Sequence, residues 1–142
     1  ACPEAQPWRP PYDDFPQVNV AAQLDEKDSL FSHYQDLIAL RKANPALKTG
    51  ATTLVDADSP ALFASLRTTD DEQILVLINL SDQPILEYHL TLSESPISPG
   101  SYKFEDLLSH LMFPITANAE GGFSLTVETP LQPYQTVVAK AK

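Results

Sequence analysis

The spacing of apolar residues changes once along the chain, and the change divides it in two. Leu30, Phe31, Tyr34, Leu37, Ile38 and, one turn on, Arg41 recur at intervals of three and four. That period predicts one amphipathic α-helix over residues 29–43. Asp28 or Ser29 can cap its start, because a short side-chain oxygen satisfies an otherwise unpaired amide. Arg41 and Lys42 stand in the last turn, where the helix dipole favours cations. Pro45 ends the helix, since the residue before a proline avoids the α region. After Gly50 the pattern shortens into strand-length runs at 51–55, 61–68, 73–80, 85–92, 101–106, 112–116, 122–128 and 136–140. Turn residues separate them about every ten positions. About eight such strands predict a mainly β fold, an antiparallel Greek-key β-sandwich. Residues 73–80 are almost continuously apolar and suit the centre of a sheet.

The segment before the helix has neither period. Five of the thirteen prolines fall within the first sixteen residues, at Pro3, Pro7, Pro10, Pro11 and Pro16. They exclude a regular helix or a central strand and predict an extended arm over residues 2–17. Trp8, Tyr12 and Phe15 are its possible anchors. The chain opens Ala-Cys-Pro, without an initiator Met or a basic-then-apolar leader, and reads as a piece of something longer.

Composition narrows the partners. Nineteen acidic against nine basic residues give a formal charge of −10, which repels nucleic-acid phosphates and anionic membranes alike. No apolar run approaches the length of a membrane span. Cys2 is the only cysteine, so an internal disulfide and a thiolate metal site are excluded. That composition fits a reducing, cytoplasmic compartment. At 142 residues the chain can bury a core but cannot hold a (β/α)8 barrel of about 250 residues.

Chemistry-bearing patterns are sparse. His33, His89 and His110 form no two-histidine helical motif, and neither a nucleophile elbow nor a phosphate-cradling glycine loop is present. No cofactor is expected. Asp13-Asp14, Asp25-Glu26, Asp70-Asp71 and Glu105-Asp106 are adjacent carboxylates, but neighbours on a strand point to opposite faces. The first three read as solvated turn residues. Asn79-Leu80-Ser81 fits a glycosylation sequon and, more simply, a turn closing a strand. Sugar stacking requires exposed aromatic rings; Trp8, Tyr12 and Tyr88 are weak candidates, because cross-strand packing or covering the core suits the tyrosines better.

One stretch is recognisable. Val18-Asn19-Val20-Ala21-Ala22-Gln23, then Asp28-Ser29-Leu30 and Tyr34, and then residues 37–47 with Gly50, resemble the end of the catalytic barrel in the α-amylase family, glycoside hydrolase family 13. Pro7-Trp8 and Pro10 are similar to the loop that precedes that asparagine-valine segment in α-glucosidases and oligo-1,6-glucosidases. Residues 74–82 resemble the family's strand ending in Asn-Phe-Ser-Asp, with Leu80 in place of phenylalanine. Leu131-Gln132-Pro133-Tyr134 resembles the motif before its last strand.

The resemblance implies that residues 1–47 are the last barrel loop and helix, and that residues 48–142 are the C-terminal β-domain. The family's catalytic aspartates and glutamate lie upstream of this segment, and no position here matches their motifs. The chain is therefore expected to be non-catalytic, a stabilising part of a retaining α-glucosidase-like enzyme. Its expected partner is the missing barrel, met through Leu30, Tyr34, Leu37, Ile38 and Arg41. Left uncovered, that face is expected to fold back on the sandwich or to pair with a second copy in a homodimer. Two alternatives are an independent carbohydrate-binding module and a scaffold derived from a catalytically dead relative.

Overall fold

The computed structural model describes residues 8–95 and 97–142. Cys2, Pro3 and Pro7 lie outside the described residues. The chain forms two compact units, Ala1–Leu40 and Arg41–Lys142.

In the first unit the arm is not simply extended. The amides of Phe15, Gln17 and Val18 donate to the carbonyls of Tyr12, Asp14 and Asp14, so residues 12–18 coil through successive turns. Prolines preset the φ that such turns need. A short helix, α1 (Val20–Gln23), follows, and then α2 (Leu30–Ala43), whose bounds fall within one residue of the expected helix. Ser29 is its cap: Oγ accepts the Ser32 amide at 3.2 Å and donates to the Gln23 carbonyl at 2.9 Å. The Gln23 side chain accepts the Phe31 amide, and Asn19 Oδ1 accepts the Ala22 amide, each at 2.9 Å. The Asn19 amide donates back to the carbonyls of Phe15 and Pro16. Asn19, Gln23 and Ser29, all within the recognisable stretch, thus satisfy helix-start amides that would otherwise be unpaired.

The second unit opens on the last turn of α2 and holds, among the described residues, α3 (Pro45–Thr49) and nine strands. These are β1 (Ala51–Leu54), β2 (Asp56–Ala57), β3 (Leu62–Thr68), β4 (Gln73–Asn79), β5 (Tyr88–Glu94), β6 (Gly100–Asp106), β7 (Met112–Ala117), β8 (Gly121–Val127) and β9 (Thr136–Ala141). Six form one sheet in the order β1-β3-β4-β9-β6-β7, and three form the other, β2-β5-β8. Every pairing is antiparallel, and β4 lies inside the larger sheet as its apolar run requires.

Two expectations shift. The two-residue β2 is too short to show alternation in sequence; it forms because the chain crosses between sheets at buried Val55. The strand expected from residue 85 begins at Tyr88, because Ile85 bridges to Leu131 instead.

Alternation then does the packing. Tyr88, Leu90 and Leu92 on β5 meet Leu66, Leu75, Leu77, Phe104, Phe113, Ile115 and Val137 from the larger sheet in one core. The opposite faces of β5 and β7 are half-buried or exposed. Gly121 has φ +75, and a Cβ there would lie 2.2 Å from the Ser95 carbonyl oxygen, so only glycine fits that turn into β8.

Tyr88 corrects one expectation. It is 1% exposed and faces the core, so it cannot stack on a sugar. Among the described residues its hydroxyl has no hydrogen-bond partner, and burial pushes its pKa from 10.0 up to about 12. Stability from the neutral phenol is complete below pH 10 and is lost as pH rises through about 12. Tyr88→Phe keeps the ring and removes the orphaned hydroxyl. Thermal unfolding is expected to show it as stable as the parent chain or more so, by about 1 kcal/mol. Its loss of stability between pH 10 and 12 is expected to be smaller.

Candidate functional site

The second unit begins where the chain passes from helix to strand, and three buried polar side chains fasten that unit together. The first is Glu72, 6% exposed. Asn44 is extended before α3, and its side chain makes no capping bond to the helix. Glu72, 26 residues beyond Ala46, supplies the cap instead: Oε2 accepts the Ala46 amide at 2.6 Å. A carboxylate suits that place, because unpaired amides carry the positive end of the helix dipole. Lys140 Nζ on β9 donates to Glu72 Oε1 at 2.5 Å and to Asn44 Oδ1 at 3.2 Å. Arg67 on β3 donates from Nε to the Ala46 carbonyl at 3.2 Å and from Nη1 to Thr52 Oγ1 at 2.5 Å. Arg41 donates to the Leu47 carbonyl. Gly50 allows the fit, because a Cβ there would lie 2.5 Å from the Ala46 oxygen and 2.9 Å from that of Thr68. Residues 44–50 are thereby clamped to β3, to the β3–β4 turn and to β9.

Asn79 is the second fastener, with no exposed surface. Its Nδ2 donates to the carbonyls of Gln83, Leu131 and Gln132, and its Oδ1 accepts the amide and hydroxyl of Ser81. One side chain therefore joins the β4–β5 turn to the loop before β9. The sequon reading fails on this burial, because the amide nitrogen is enclosed. Nearby, Tyr134 adopts φ +57 with its amide donating to the Ser81 carbonyl, and its ring is 68% exposed.

Asp106 is the third. It is fully buried, with Oδ1 accepting the Val138 amide at 2.8 Å and Oδ2 accepting the amide and hydroxyl of Ser109. Its neighbour Glu105 points away, to His110 and Lys142. The alternation of a strand thus splits the one adjacent carboxylate pair that lies on a strand. Asp13, Asp14, Asp25, Glu26, Asp70 and Asp71 are all exposed. Among the described residues, no group of three or more His, Cys, Asp or Glu gathers where it could hold a metal ion.

The expected contact face on α2 is largely uncovered. Leu30, Tyr34 and Ile38 are 64%, 59% and 50% exposed, Leu37 is half-buried and Arg41 is exposed. Trp8 and Tyr12 in the arm are also open to solvent, at 97% and 79%.

Comparison with known proteins fits this arrangement. A family model described as "Alpha amylase, catalytic domain" matches residues 2–50. Trehalose-6-phosphate hydrolase of Bacillus subtilis (strain 168) is 32% identical over 93% of this chain. Oligo-1,6-glucosidase of Bacillus cereus is 30% identical over 96%. The chain spans only 21% and 22% of the lengths of these two relatives. Trehalulose synthase from Pseudomonas mesoacidophila MX-45 has a similar solved structure: TM-score 0.66, 29% identity, 96% of this chain and 22% of that one. The chain belongs to the α-amylase family of glycoside hydrolases, on its α-glucosidase-like side.

Proposed function

We infer that this chain is the C-terminal part of an α-glucosidase-like enzyme, and that its own role is structural. On this reading residues 1–47 close the catalytic barrel and residues 48–142 are the β-domain that caps it. The parent acts by retention on α-glucosides, and this part carries none of the catalytic carboxylates. One observation carries the reading: three buried polar side chains of the β-domain are spent on tying its own segments together. Glu72, Asn79 and Asp106 hold the junction, two loops and β9, and none is free to meet a substrate.

The exposed face of Leu30, Tyr34 and Ile38 supports a barrel partner. Burying each side chain on it is worth roughly 1.5–3 kcal/mol, so a partner's apolar surface is strongly favoured there. Reading the gene upstream of the codon for Ala1 tests the assignment. A continuous frame encoding a barrel with its two aspartates and one glutamate is expected. A start codon directly preceded by a stop would overturn it.

The exposure of Trp8 and Tyr12 favours a second reading, a carbohydrate-binding module. Trp8 is the only tryptophan, so its fluorescence reports on that arm alone. Titration with maltoheptaose is expected to leave the emission unchanged, with no heat by calorimetry. Saturable quenching with matching heat would establish the binding module instead.

A further inference from the structure

The outward face of the three-stranded sheet holds an arrangement that the structural role does not use. His89 on β5 lies opposite Thr126 on β8. Its Nδ1 is 3.0 Å from Thr126 Oγ1, and its Nε2 is 3.0 Å from Ser124 Oγ. A neutral imidazole has one donor and one acceptor nitrogen. Ser124 can therefore give its proton to Nε2 while Nδ1–H donates to Thr126. Asp58 fixes the backbone that carries the ring. Asp58 Oδ1 accepts the His89 amide at 3.0 Å, and the Asp58 amide donates to the His89 carbonyl at 3.2 Å. Ser124 and Thr126 are exposed and His89 is half-buried, so a reagent can reach the hydroxyl while the ring stays ordered.

We propose that Ser124 is a reactive nucleophile, with His89 as its base and Thr126 orienting that base, and that it takes acyl groups from activated esters. A nucleophile within hydrogen-bond reach of a base that is itself held by a third group is the arrangement that activates a serine. In the step, Ser124 Oγ bonds to the acyl carbon and the ester's C–O bond to its aryloxide breaks. The serine proton passes to Nε2 and on to the departing aryloxide. The products are O-acylserine and a phenol, with nothing oxidised or reduced. Ser124 is favoured over Thr126 because a primary hydroxyl is less hindered. A neutral hydroxyl as the third group makes this a slow, site-selective acylation, weaker than the roughly 10²–10⁴-fold of a positioned acid–base pair.

Ser101 is an internal control: it is exposed on β6, its Oγ lies 3.3 Å from Thr116 Oγ1, and neither β6 nor β7 carries a histidine. The intact chain is treated with p-nitrophenyl acetate, and acetylated positions are read by peptide mass spectrometry. Ser124 is expected to acetylate at least ~10-fold faster than Ser101. His89→Gln is expected to reduce Ser124 to the rate of Ser101, with far-ultraviolet circular dichroism unchanged, and Thr126→Val is expected to slow it less. Equal rates at Ser124 and Ser101 in the unsubstituted chain would overturn the proposal without recourse to any variant. So would acetyl on Thr126 in place of Ser124, or an unaltered Ser124 rate in folded His89→Gln.

Discussion

Glu72→Ala is expected to lower the unfolding midpoint by roughly 10 °C, the largest effect of any single side chain at the junction. The loss comes from two sides. The Ala46 amide at the start of α3 loses its acceptor, and Lys140 loses its carboxylate. Breaking one partner of a buried pair costs about 3–5 kcal/mol. Lys140 keeps 38% of its side chain exposed, so water partly replaces the lost carboxylate, and about 2–3 kcal/mol is expected here. For a unit of this size that corresponds to the stated shift. Glu72→Gln still offers an oxygen to the amide and is expected to lose about half as much. A double-mutant cycle with Lys140→Met separates the two parts, with a coupling of about 1 kcal/mol expected between them. Loss in Glu72→Ala no larger than that of an exposed Asp70→Ala would refute the clamp.

Asn79→Asp is the second large effect, although it changes a single atom's chemistry. The amide nitrogen now donates to three carbonyls, and an aspartate would turn acceptor oxygens toward all of them. With no exposed surface, the site offers no water to relieve the clash. About 3 kcal/mol or more is expected, measured by urea unfolding with an unchanged slope. Ser81→Ala removes only the hydroxyl that bonds Asn79 Oδ1 and is expected to cost about 1 kcal/mol. A ranking in which Ser81→Ala costs as much as Asn79→Asp would show that the latch does not hold these loops.

The limits of sequence reading here have a physical cause. Period reveals elements long enough to repeat, so α2 and eight of the nine strands were legible from apolar spacing. The two-residue β2 and the helix α3 complete too little of a period to register. The fasteners were invisible for a different reason. Glu72 caps an amide 26 residues away and Asn79 reaches carbonyls 52 and 53 residues away, and such partners exist only once strands have found their register. The same holds for His89 and Ser124, which are 35 residues apart and meet because β5 pairs with β8. Nothing local marked Ser124; its signal lies in the pairing. Glu105-Asp106 shows the converse, since alternation alone correctly separated that pair. Tyr88 shows what residue type alone leaves open: packing was the better reading for a strand tyrosine, and the burial of Leu90 and Leu92 on the same side decides it.

The central claim is that this chain stabilises an α-glucosidase-like barrel without itself performing the chemistry. The most direct test is turnover of p-nitrophenyl α-D-glucopyranoside by the purified chain, with a family enzyme as positive control. Release of nitrophenol at the rate of buffer alone is the predicted result. Hydrolysis above buffer that survives repurification and scales with chain concentration would contradict the account.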